Sequence, residues 1–130
     1  MKGSTNANVQ LTISLPEAVQ YGAVGNTTYA QNAKIKFTLS GSSKPWCSLA
    51  SNQTDFTLTS GRYLITYSFT PTTTATGISG FNTYSNADAW KTGSFTTIIN
   101  VSSTLTEYLY CNGNASQFVW FVFTIVRLGD

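Results

Sequence analysis

Residues Gln117 to Leu128 constrain this chain more than any other segment. Read with a period of two, Phe118, Trp120 and Val122 fall on one side, and Val119, Phe121, Phe123 and Ile125 on the other. A strand apolar on both faces must be covered on both faces, and in a two-sheet sandwich the fold covers only the inner one. A second cover is therefore expected, and another subunit is its natural source. Arg62 to Phe69 repeats the pattern, with Tyr63, Ile65, Tyr67 and Phe69 on one side and Leu64 on the other. Leaving several such side chains in water would forgo roughly 1.5–3 kcal/mol each. The competing explanation is a long loop of the same chain sealing the outer face.

The same alternation recurs between turn-formers along the chain. Val9 to Leu15 alternates with Gln10, Thr12 and Ser14, and Pro16 is read as its stop. Ile35, Phe37 and Leu39 alternate with Lys34, Lys36 and Thr38, followed by a loop from Ser40 to Pro45. Phe56 and Leu58 form a short strand that turns at Ser60-Gly61 into Arg62 to Thr70. After a threonine-rich loop, Gly77 to Tyr84 is a weaker strand, and Ser85 to Gly93 is a loop holding Asp88 and Trp90. Ser94 to Val101, Leu105 to Cys111 and Gln117 to Leu128 complete the series, with Asn112-Gly113 as a strong turn signal. No segment carries a 3.6-residue repeat. About eight antiparallel strands imply an all-β, two-sheet sandwich of jelly-roll type. Residues 1–8 read as a disordered tail or the remnant of an excised fragment, and residues 9–130 as one sandwich domain.

Composition limits the chemistry. Charged residues are only 9% of the 130, against roughly 25% in ordinary soluble proteins. The net charge of +2 is spread over seven cations that form no run, which argues against nucleic acid as a partner. The apolar stretch from Phe118 to Val126 is too short to span a bilayer as a helix, and no secretory signal opens the chain. With no His, His-based triads and His-ligated metal sites are excluded. Five acids remain; Asp55 and Glu107 read as solvated strand residues, and no catalytic residue, metal or cofactor is assigned. Cys47 and Cys111 permit one disulfide at most, with two buried thiols as the simpler expectation. Four glycosylation sequons, at Asn26, Asn52, Asn100 and Asn114, are close to what a chain so rich in Asn, Ser and Thr contains by chance.

Phe56-Thr57-Leu58-Thr59-Ser60-Gly61-Arg62-Tyr63-Leu64-Ile65-Thr66-Tyr67-Ser68-Phe69 resembles the central hairpin of the tumour-necrosis-factor and complement globular-head superfamily. Asn114-Ala115-Ser116-Gln117 leading into Phe118 to Val126 is similar to its final strand. The resemblance covers residues 30 to 128 and is clear at these two strands; Gly77 to Gly93 departs from it. It implies a jelly roll whose three copies pack around an axis through an aromatic-rich inner sheet. Tyr63, Tyr67, Phe118, Trp120, Phe121 and Phe123 are the interface residues expected on that basis. Bacterial and phage relatives use such domains as heads of collagen-like filaments or tail fibres.

Three Trp and seven Tyr in a weakly charged chain supply flat surfaces for sugars or proteins. Trp46 and Trp90, with Asn82, Tyr84, Asn86 and Asp88, are the candidate ligand residues, because a ring with nearby amides and a carboxylate suits a carbohydrate. The alternative for each Trp is a plug over the end of the sandwich. The sequence thus points to a homotrimeric receptor-binding head of a phage or prophage tail fibre, or similar adhesin. It would be displayed outside the cell or on the virion, and would recognise a bacterial surface glycan or protein. A structural trimeric cap or capsid-decoration protein, and a monomeric carbohydrate-binding module, are the rival readings.

Overall fold

The longest alternating runs become the longest strands, and they lie side by side. The computed structural model describes residues 17–72, 78–81, 84–86, 93–111 and 115–129. Within them are β1 (Glu17–Ala23), β2 (Phe37–Ser40), β3 (Cys47–Leu49), β4 (Phe56–Leu58), β5 (Gly61–Pro71) and β6 (Ile78–Gly80). Then follow β7 (Tyr84–Asn86), β8 (Gly93–Val101), β9 (Leu105–Glu107), β10 (Leu109–Cys111) and β11 (Phe118–Gly129). No helix occurs among the described residues, so none there is long and apolar enough to cross a membrane.

One layer is a five-stranded antiparallel sheet in the order β2-β1-β11-β5-β8. The other is two three-stranded sheets, β9-β4-β3 and β10-β6-β7. They share a single chain run, Leu105 to Cys111, interrupted only at Tyr108, so they are two halves of one layer. Rings from both layers meet between them. Phe123 of β11 lies 5.2 Å from Phe56 of β4 and 4.9 Å from Phe81 after β6. Tyr21, Phe37 and Tyr67 close around the same ring. Such edge-to-face lattices add to plain burial.

The structure alters several expectations. β1 is a strand beyond the sequence expectation of a stop at Pro16: Val19 and Tyr21 are buried and alternate with exposed Ala18 and Gln20. Gly77 to Tyr84 is not one strand but parts of two, turning at Phe81, whose φ is 48° and whose ring is fully buried. β3 is only three residues long, too short for a period to be read.

β11 carries a register shift between Phe118 and Trp120. This bulge turns Phe118 inward, 5.1 Å from Phe121 and 5.7 Å from Phe69. It also leaves Val119, expected on the same side as Phe121 and Phe123, 69% exposed while those two are buried. Bulges re-aim side chains in this way. From Phe121 onward the strand does have two unlike faces. Phe121, Phe123 and Ile125 are buried, while Val122, Thr124 and Val126 look the other way and are half-buried.

Candidate assembly face and the placement of the expected site residues

The outward side of the five-stranded sheet is set by the pairing register. Val126 of β11 stands beside Ala18 of β1 and Leu64 of β5, and Leu64 beside Ile98 of β8. This is an apolar row across four strands. The next row is Ser40, Gln20, Thr124, Thr66 and Thr96, and the hydroxyls of Thr66 and Thr96 are hydrogen-bonded at 3.1 Å. A third row is Thr38, Gly22, Val122, Ser68 and Ser94. No ionisable side chain stands in any of the three rows. Trp120, opposite Thr70, flanks them and is 44% exposed; Ile98 is 47% exposed. These three rows offer burial and hydroxyl hydrogen bonds to a partner with no charge among them to desolvate; Arg62, opposite Asn100, stands in the row beyond Leu64 and Ile98.

Of the six residues expected at a subunit interface, Tyr63, Tyr67, Phe121 and Phe123 lie in the chain's own core. The correction has a simple cause. Each strand spends its bulkier side on its own sandwich, and the side left for a partner is the leaner one. Phe118 is half-buried against Tyr29 and Phe69. Trp120 alone of the six is exposed.

Trp46 is no open platform. It is buried, its ring lies 5.6 Å from that of Tyr63, and its Nε1 donates to Oε1 of Glu17 at 3.0 Å. It plugs one end of the sandwich. Asn82, Asp88 and Trp90 lie outside the described residues. Tyr84 and Asn86 belong to β7, where their backbones pair with Gly80 and Ile78. The expected ligand constellation is therefore not assembled by the described residues.

Cys47 and Cys111 are free, buried thiols. Burial pushes Cys111 up to about 11 and raises Cys47, against which a hydrogen bond shared with the Tyr21 hydroxyl, at 3.4 Å, acts in the lowering sense. Among the described residues no group of three or more Cys, Asp or Glu side chains could hold a metal ion. A cleft of about 370 Å³ lies at the end of β8 and is lined by Ser60, Gly61, Asn100, Val101 and Ser102. It offers neither charge nor aromatic ring.

No protein-family model matches the sequence, and no curated protein matches it. Solved structures do match the fold. The crystal structure of murine APRIL at pH 8.0 superposes with a TM-score of 0.61 at 8% identity, covering 86% of this chain and 100% of that one. The same protein at pH 5.0 gives 0.59, again at 8% identity and with the same coverage. At that identity the likeness concerns architecture alone: the chain is a tumour-necrosis-factor-like jelly roll.

Proposed function

We infer that the chain is a homotrimeric receptor-binding head, the distal domain of a phage or prophage tail fibre or a similar adhesin, displayed outside the cell or on the virion. Its target is a bacterial surface glycan or protein. The observation that carries this reading is the outward side of the five-stranded sheet, where three successive rows hold no ionisable group, with the Ala18–Val126–Leu64–Ile98 row and exposed Trp120. Further copies of the chain are the occupants that suit it, because a threefold axis can bury these rows without bringing a charge against them. The jelly-roll fold, which in tumour-necrosis-factor-like proteins typically trimerises, supports a threefold arrangement. Binding is favoured over catalysis by a sequence with no His and only five acids.

Light scattering on the chain at micromolar concentration should return three times the 14.1 kDa chain mass. A monomer there removes the assembly on which the reading depends. A glycan array together with whole-cell binding then separates a receptor-binding head, which labels a defined glycan or strain, from a structural cap, which labels neither. The monomeric-module reading has lost one of its two Trp platforms, since Trp46 is buried.

A further inference from the structure

The second layer splits at Tyr108. Up to Glu107 the run follows β4, with Thr106 opposite Thr57 and Glu107 opposite Phe56. Beyond it, β10 leaves β4 and runs between β6 and the segment Asn32–Ile35. There Ile35 N donates to Leu109 O at 2.9 Å, and Cys111 N to Ala33 O at 3.0 Å. The parting of the strands opens a cleft of about 300 Å³ lined by Lys34, Asp55, Thr106, Glu107 and Tyr108. That is the small end of the range for ligand sites, roughly 300–1,000 Å³.

Its walls are chemically unlike the rest of the surface. In a chain with only seven cations and five acids, one cation and two acids line this single cleft. Lys34 Nζ lies 4.1 Å from the ring centre of Tyr108 and 3.0 Å from Oδ1 of Asp55. Asn52 Nδ2 and Thr54 Oγ1 also donate to Asp55, so its carboxylate is held by three donors. Glu107 makes no side-chain hydrogen bond or ion pair with another described residue.

We propose that this cleft binds one pyranose ring of a neutral saccharide. A pyranose offers a C–H face to an aromatic ring and adjacent hydroxyls to a carboxylate, which accepts them as charge-assisted hydrogen bonds. The charges select among ligand classes. An anion would meet Asp55 and Glu107, and a cation drawn to Glu107 would find a face of Tyr108 already taken by Lys34. An uncharged polyol satisfies Glu107 and Thr106 without displacing the Lys34–Asp55 pair. The proposal deepens, and for its biological sense rests on, the reading of the chain as a glycan-recognising head, but the cleft itself belongs to one chain.

The test is an amide-resolved NMR titration of the full chain with neutral methyl pyranosides (galactoside, glucoside, mannoside and N-acetylglucosaminide). Methylammonium chloride and sodium phosphate serve as charged probes. At least one pyranoside should shift the amides of Asp55, Glu107 and Tyr108 and saturate in the millimolar range expected of one small ligand. Tyr108→Ala and Glu107→Gln should each weaken it about tenfold. Should Tyr108→Ala lose its circular dichroism, Glu107→Gln, which leaves the fold's apolar contacts untouched, decides the matter. The proposal is overturned if no pyranoside moves these amides at about 50 mM. Unchanged saturation in a folded variant, or equally strong shifts with methylammonium, would overturn it too. Light scattering on the same samples keeps the two readings apart: a trimer without sugar binding sinks only the cleft, and a sugar-binding monomer sinks only the trimer.

Discussion

Ile98→Asp separates assembly from folding. Ile98 is 47% exposed in the single chain and ends the apolar row Ala18–Val126–Leu64–Ile98. Half of an isoleucine left in water is worth roughly 1 kcal/mol of burial that only a partner can supply. An aspartate there adds a carboxylate to a face whose three rows hold no cation, Arg62 standing in the row beyond, and costs about 2 kcal/mol more on association. Three subunits bring the penalty to about 9 kcal/mol, more than six decades in the trimer association constant. Within one chain the same change touches a half-open strand position and costs no more than about 1 kcal/mol. Ile98→Asp should therefore sediment as a folded monomer at micromolar concentration, with the strand-type circular dichroism of the parent. A variant that stays trimeric would show that this face is not buried between subunits, and the threefold head would have to be abandoned.

Other outcomes follow from the core and its turns. Phe123→Ala, which removes the ring at the centre of the aromatic lattice, should cost about 3–5 kcal/mol in urea unfolding; a loss below about 1 kcal/mol would mean that the two layers do not meet there. Gly80 has φ +126°, and a Cβ on it would run into the backbone carbonyl oxygen of Tyr108. Gly80→Ala should therefore lose roughly 2–4 kcal/mol, read by the same assay. Cys111, pushed up from 9.0 to about 11 by burial, stays protonated in the folded chain while the unfolded thiol ionises. Stability should be intact below about pH 9 and fall as pH rises toward 11. The loss from this group approaches roughly 2–3 kcal/mol, and Cys111→Ala should flatten that limb of the pH–stability curve. Native protein should show no thiol reactive toward Ellman's reagent at pH 8, and two after denaturation, as two free buried cysteines require.

The longest strands were legible, whereas β1 and several of the short ones were not. β5, β8 and β11 span nine residues or more, enough for a period of two to stand clear of chance. β3, β6 and β7 have three residues each; one alternation is no signal, and tertiary pairing decides their fate. The bulge at Phe118/Trp120 was equally silent, since a register shift adds a residue without changing composition. Alternation also gives two sides of a strand without saying which faces home. The volumes could have decided it. Tyr63, Ile65, Tyr67 and Phe69 outweigh Leu64, Thr66 and Ser68, and a 130-residue domain needs its largest side chains for its own core. Trp46 follows the same rule: after Pro45 and before a buried Cys47, it closes the sandwich against Tyr63. The cleft at Tyr108 left a fainter trace, in Glu107 interrupting an inward series of Leu105, Leu109 and Cys111.

The two layers differ in a way that fixes which one can face a partner copy. A sheet that packs against other copies must present several rows across its strands that cost little to desolvate. The five-stranded layer does so without an ionisable group in three successive rows. The second layer cannot. Its partners change at Tyr108, and Lys34, Asp55 and Glu107 stand at the break. Pressing that face against another copy would strip water from three charges, of which only Lys34 and Asp55 are paired. The penalty is several kcal/mol per ion, with no matching row to repay it. The split layer is therefore the costlier of the two to bury against another copy, and the cleft of Lys34, Asp55, Glu107 and Tyr108 lies on it.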